Sequence, residues 1–263
     1  KLAISITQEF PTHQFGWKIL GAILNQTGRV SESLFPSQKS VQIAPQDFQA
    51  FSNLGVTLQE LGRLDEAEAM LRQAIALKPD FSEAYYNLGL MLQKAGRLNE
   101  AEASYRQTIA LRPDFASAYN NLGNTLQALR KLEEAESFYK QALALNPDLA
   151  DSLWNLHSIE KTIGGAEYWI DKCLIADTNH MRAKFTKAAL RFYQGDSNSF
   201  DGLMQSEFKR HSYVRSFSWA FSLPNLPELH FNKWSFFDAI VKKSINSKPF
   251  YEFGVWRASS FKY

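Results

Sequence analysis

Four asparagines, Asn53, Asn87, Asn121 and Asn155, recur at one constant interval, and their side chains set the kind of chemistry this sequence can offer. A carboxamide carries two N–H donors and an acceptor oxygen, so it can pair with a peptide backbone whatever side chains that peptide bears. A regular row of carboxamides recognises; it neither moves protons nor attacks bonds. Tyr86, Gln59, Gln93, Asn120, Asn124 and Gln127 fall in the same segments and extend the set. Together they describe a polar, nearly uncharged trough suited to loose recognition of an extended peptide. The Lys and Arg residues that would clamp a charged C-terminus are mostly missing from these positions. A second role is open to the same asparagines, which is to cap or bridge adjacent repeats.

Catalytic patterns find no support. The histidines, at 13, 157, 180, 211 and 230, are scattered, with no His-Glu-x-x-His, no cysteine pair and no nucleophile elbow. Acidic pairs such as Glu133–Glu134 stand where helices open and read as a solvated face. The single cysteine, Cys173, excludes a disulfide within these 263 residues, suits a reducing cytoplasm, and occupies a small-residue packing position. The expectation is therefore no catalytic residue in the repeats, no metal, and a cytoplasmic location.

The elements that must carry the asparagines are written in a glycine beat. Gly21, Gly55, Gly89 and Gly123 recur with the same period, and Pro45, Pro79, Pro113 and Pro147 follow each at a constant distance. Full units run 14–47, 48–81, 82–115 and 116–149. Inside each, apolar residues fall three and four apart, as Phe51, Leu54, Leu58 and Leu61 do, which is a helical stripe. Gly62 and Gly96 fit the left-handed cap that ends a first helix. Glu-Ala-Glu runs then open a second helix with acid at its positive end, and Lys-Pro-Asp, Arg-Pro-Asp or Asn-Pro-Asp closes it. A helical hairpin of this size cannot bury its own face, so each unit needs its neighbours.

These positions carry a resemblance. The bulky residues Trp17, Phe51, Tyr85 and Tyr119, the Leu-Gly pairs, the small residues Ala67, Ala101 and Ala135, and Leu71, Tyr105 and Tyr139 four places on match the tetratricopeptide repeat pattern. Residues 14–149 thus resemble the tetratricopeptide repeat family. The resemblance implies an all-α solenoid, a right-handed superhelix of helical hairpins with the first helices on its concave surface, and a protein or extended peptide as partner. The row of asparagines resembles the ladder in the repeat domain of O-linked N-acetylglucosamine transferases, where it holds extended polypeptide. A glycosyltransferase arm of that kind is the least favoured of the implied readings.

The beat decays at both ends. The first unit has Ser33, Ser37 and Ser40 where the second helix should be apolar or small. Beyond 149, His157 takes the glycine position, and the second helix of this fifth unit, 150–180, is expected to be three residues short. Ala183, Ala188 and Gly195 fit a further degenerate unit, 181–210. The solenoid is thus expected over 14–210, with roughly six hairpins.

Charge and aromatic content shift in the same region. Up to position 180 the chain holds 16 basic and 21 acidic side chains, beyond it 13 and 6, and 19 of the 36 aromatics lie in that later part. No dense basic cluster or nucleic-acid motif accompanies the shift, which speaks against nucleic acid, and no apolar stretch is long enough to cross a bilayer. The N-terminus lacks a secretory layout, and its opening Lys1-Leu2-Ala3-Ile4 has no initiator methionine, which points to a cut N-terminal end. Residues 211–248 read as an aromatic-rich helical lead-in, with Trp219, Phe221, Trp234, Phe236 and Phe237 expected on the surface. Residues 249–263 read as a strand, a glycine turn at Gly254 and a helix start capped by Ser259 or Ser260. The phrase FYEFGVWRASSFKY resembles motif I of class I S-adenosylmethionine-dependent methyltransferases, especially the macrocin O-methyltransferase-like group. That resemblance implies Glu252 and Gly254 at an S-adenosylmethionine site, in a domain needing on the order of 150 further residues. Arg257-Ala258 stand where a later glycine is common. On this reading the solenoid is the recruiting arm of a methyltransferase whose catalytic domain lies beyond Tyr263, and the fragment itself carries no cofactor.

Overall fold

The computed structural model describes residues 2–193, and the chain divides into two compact units between Leu145 and Asn146. The first holds α1 (Leu2–Glu9), α2 (Gln14–Gln26), α3 (Val30–Ile43), α4 (Phe48–Glu60), α5 (Leu64–Leu77), α6 (Ser82–Lys94), α7 (Leu98–Leu111), α8 (Ala116–Ala128) and α9 (Leu132–Leu145). The second holds α10 (Ala150–Ile159), α11 (Ile163–Ala176) and α12 (Met181–Tyr193). Among the described residues there is no strand. The expected lead-in at 211–248, the strand and turn at 249–263, and Glu252 and Gly254 with them, lie outside the described residues, as does the second half of the expected unit 181–210.

In the first unit α2 pairs with α3, α4 with α5, α6 with α7 and α8 with α9, and each second helix packs on the next first helix. The reversal inside each hairpin is built the same way every time. Gly28, Gly62 and Gly96 take φ of 76°, 78° and 77°. The N–H that follows, on Arg29, Arg63 or Arg97, then reaches back to the carbonyl of Leu24, Leu58 or Leu92 at 2.9 Å. This is a Schellman closure, which satisfies carbonyls the helix end would leave bare. The fourth hairpin closes identically, Lys131 N–H to Leu126 O at 2.9 Å, but with Arg130 at φ 64°. A side chain in that left-handed region costs about 1 kcal/mol or more. Arg130→Gly should therefore raise stability by about 0.5–1 kcal/mol after the added freedom of the unfolded chain is counted. The readout is a higher urea midpoint at unchanged slope; a lower midpoint would mean that the contacts of the arginine outweigh its backbone cost.

Close approach of paired helices explains the glycine beat. A Cβ placed on Gly89 would lie 2.7 Å from the Tyr105 ring, and one on Gly123 would lie 2.5 Å from the Tyr139 ring. Both rings are fully buried, as is Leu71 at the equivalent place on α5, and Ala67, Ala101 and Ala135 are buried one turn before Leu71, Tyr105 and Tyr139 respectively. In the first hairpin Ser33 and Ser40 keep the small size of Ala67 and Ala74, while Ser37 stands in the place of the larger Leu71, Tyr105 and Tyr139 and faces Gly21; all three serines are buried. Ser33 Oγ satisfies itself on the Val30 carbonyl at 2.8 Å.

Two features depart from the pattern read along the chain. The helix α1 ends at Glu9, one full period before α3 ends at Ile43, and Pro11 precedes Pro45 by the same step. α1 thus occupies the register of a second helix and packs on α2, with Ile6 and Thr7 against Gly16. The second departure corrects the expectation for the fifth hairpin. The missing three residues come from its first helix, since α10 has 10 residues against 13 in α8, while α11 keeps 14 like α9. Glu160 leaves the helix at ψ 142°, and its carboxylate accepts the N–H groups of Lys161 and Thr162 at 2.8 and 3.1 Å. Thr162 Oγ1 then caps α11 by accepting the Gly165 N–H at 3.1 Å. A carboxylate turn has replaced the left-handed one, and it needs fewer residues.

Candidate peptide-binding face

In the first unit, successive first helices pack directly on one another, α2 on α4, α4 on α6 and α6 on α8, with Cα atoms within 8 Å. Successive second helices approach less closely. A stack whose members are closer on one side curves toward that side, so the first helices line the concave surface.

The two sides differ in chemistry. Between second helices, ion pairs step from hairpin to hairpin: Glu68 receives Arg72 and Arg97, and Glu102 receives Arg106 and Lys131. Hydrogen bonding from Arg97, the largest influence, holds the Glu68 carboxyl below its ordinary range against the cost of burial, with Arg72 adding to it. The basic partners are exposed although Glu68 and Glu102 are partly buried, and the contribution of such surface pairs to stability is small. Between first helices the bridges are mostly neutral, the charged exceptions being Lys18, whose Nζ donates to Gln49 Oε1 at 2.9 Å, and Lys94, whose Nζ donates to the Gln59 carbonyl at 3.2 Å. Asn25 Nδ2 donates to Thr57 Oγ1 at 3.2 Å, Asn87 Nδ2 to Ser52 Oγ at 3.3 Å, and Asn121 Nδ2 to the Tyr86 hydroxyl at 3.0 Å. Asn53 has no hydrogen-bond partner for its carboxamide among the described residues and is half-buried. Asn155 lies on α10, in the second unit.

A further layer of amides is oriented from beneath. The Tyr105 hydroxyl donates to Gln93 Oε1 at 3.0 Å, and the Tyr139 hydroxyl lies 2.9 Å from both Asn124 Oδ1 and Gln127 Oε1. Burial raises the pKa of both phenols, so their protons stay in place to make these bonds. Tyr86 is raised too, chiefly by burial, against the bond it receives from Asn121. At the α2–α4 end, Asp47 caps α4 through the N–H groups of Gln49 and Ala50 and also receives Gln14 Nε2 at 2.6 Å and Lys18 Nζ at 2.8 Å. Partial burial works against its ionisation, but these donors outweigh it and hold the carboxyl below its usual range.

The comparisons with known proteins agree with this architecture. A family model described as "Tetratricopeptide repeat" matches residues 46–114 and again 80–148. Residues 46–148 are tetratricopeptide repeats. PilF of Pseudomonas aeruginosa is similar in structure, at TM-score 0.68 and 19% identity over 78% of this chain and 96% of that one. PilW, described as a widely conserved type IV pilus biogenesis factor, matches at TM-score 0.69 and 18% identity, over 77% of this chain and 96% of its own. YrrB, described as a tetratricopeptide repeat protein with an unusual peptide-binding site, matches at 0.54 and 18%, over 71% and 98%. At these identities the likeness is one of fold. No curated protein matches by sequence.

Within the tetratricopeptide stack, the residues read from the sequence have separated into groups. Asn53, Asn87, Asn121, Tyr86, Asn124, Gln93 and Gln127 are half-buried on the first helices, while Gln59 and Asn120 are buried. Val56 and Leu90 are missing from the set read along the chain, although they are half-buried at equivalent places on α4 and α6. Their signal is present in the sequence: one step down the beat from Ala22 and one step up from Asn124, they mark the middle of the face. Among the described residues no group of three His, Cys, Asp or Glu side chains could hold a metal, and no helix is long and apolar enough to cross a membrane. In the second unit Cys173 is buried, which pushes its thiol up to about 12 and keeps it from acting as a thiolate.

Proposed function

We propose that the first unit is a protein-interaction module that holds an extended polypeptide along the concave face of its tetratricopeptide hairpins. The observation that carries this reading is the neutral amide and hydroxyl lining of α4, α6 and α8, with Asn53 bearing a carboxamide that meets no described partner. Amide pairs supply backbone hydrogen bonds without demanding a particular side-chain sequence. The ion pairs on the opposite side leave this face without a strong field of either sign, which favours a neutral peptide over an acidic or basic one.

Asn53 separates binding from stability. Asn87 and Asn121 brace neighbouring first helices, so replacing both by Ala should cost about 1–3 kcal/mol of stability in addition to affinity. Asn53→Ala removes no side-chain bond to a described residue. Its thermal midpoint should match the parent, while affinity for a captured peptide, selected from a random 12-residue library on the full chain, falls about fivefold or more. Unchanged affinity for every selected peptide would overturn the groove reading.

A further inference from the structure

The ladder has a pitch, and a ligand has to match it. The first helices are in direct contact, and the bonds from Asn87 to Ser52 and from Asn121 to Tyr86 tie each to the one before. Helices packed this closely lie about 8–10 Å apart. Equivalent side chains, such as Val56 and Leu90, repeat at that interval along the face. A β-strand repeats its side chains every two residues, roughly 6.7 Å, and falls out of step after one hairpin. A polyproline II helix repeats every three residues at about 3.1 Å each, roughly 9.3 Å in all.

The hydrogen-bonding sense of the face points the same way. Gln93 spends its Oε1 on the Tyr105 hydroxyl, which leaves its amide N–H groups to offer. The Tyr86 hydroxyl accepts from Asn121 and keeps its own proton to donate. A polyproline II segment has no internal hydrogen bonds, so its carbonyls stand open, and each proline in it lacks an N–H. A donor-bearing face meets an acceptor-rich ligand. Val56 and Leu90, half-buried between the amides, give two ligand side chains three residues apart apolar seats on α4 and α6, and Asn124 takes the equivalent place on α8.

Resting on the groove reading above, we propose that the polypeptide held on α4, α6 and α8 is a proline-rich segment in the polyproline II conformation, with every third residue seated on a successive hairpin. The segment enters already extended, so little of its conformational freedom is lost on binding.

Three synthetic 12-residue peptides, titrated against the full chain by calorimetry, test this. The first is built of Pro-Gln-Val triplets, the second of Pro-Gln-Ser-Val tetrads, and the third alternates valine with serine and glutamine and has no proline. The triplet peptide should bind about tenfold tighter than either of the others, and Leu90→Gln should reduce that preference. Equal binding of triplet and tetrad peptides would show that stiffness alone matters and would overturn the register. Preference for the alternating peptide would overturn the polyproline conformation while leaving the groove reading standing. Absence of binding by all three, alongside capture of some other extended peptide by the same face, would overturn the proposal alone; absence of any peptide binding would overturn both.

Discussion

Replacing Tyr105 by alanine lowers the stability of the first unit by about 4 kcal/mol, the loss expected for deleting a large, fully buried ring. In thermal unfolding this is a fall on the order of 10 °C for a unit of this size. The ring fills the gap that Gly89 leaves between α6 and α7, contacts Tyr86 at 6.0 Å between centroids, and anchors Gln93. No side chain at Gly89 can move in to replace it. Because hairpins are stable only against their neighbours, the damage spreads to the flanking interfaces. Two milder variants separate size from hydrogen bonding. Tyr105→Phe gives up one bond to a half-buried amide and costs about 1 kcal/mol. Tyr105→Leu costs less than alanine, since Leu71 faces Gly55 at the equivalent place one hairpin earlier. An alanine variant within about 1 kcal/mol of the parent would mean that the helices close over the cavity and that the ring does not set their spacing.

Acidification destabilises the second unit through His157. Its ring stacks on Trp154 at 4.6 Å, with His180 on the same indole at 5.3 Å, and its buried Nδ1 has no hydrogen-bond partner among the described residues. Burial lowers its pKa to about 4, against a weaker opposing pull from the backbone acceptor at Trp154. In an unfolded chain imidazole titrates near about 6.5. Between these values the unfolded state binds the extra proton, so the stability from neutral His157 is complete above about pH 6.5 and is lost as pH falls toward 4. From about pH 7 to about pH 5 the loss is about 2 kcal/mol. Asp47, Glu68 and Glu102 have lowered carboxyl pKa values and lose their contribution only below their own unfolded values, in a more acidic window. Urea midpoints of the parent and of His157→Gln at the two pH values isolate the effect. The variant should show little change between them, and a parent profile as flat as the variant's would rule the histidine out.

Much of the first unit is legible in the chain because every hairpin solves the same problem. Gly62 and Gly96 announce left-handed turns because few other residues accept that conformation, and Gly89 and Gly123 announce close helix contacts because no side chain fits there. Arg130 is not legible as a turn residue, since the Schellman closure around it is made by backbone atoms alone and tolerates a strained side chain. The place of the three-residue deletion is equally hidden. A count of residues between repeats says that something is missing, and only the Glu160 and Thr162 hydrogen bonds decide which helix gives it up.

The asparagines show the division most clearly. The constant spacing of Asn53, Asn87 and Asn121 already requires that these three share one face of the first unit's stack and that this face be amide-rich, because periodic hairpins carry equivalent residues to equivalent places. Whether each carboxamide faces a ligand or a neighbour depends on atoms of the adjoining hairpin. Ser52 and the Tyr86 hydroxyl reach Asn87 and Asn121 only through the angle at which the helices cross, and the same geometry leaves Asn53 without a partner among the described residues. A period is a property of the chain, and a hydrogen bond between repeats exists only once the repeats are packed.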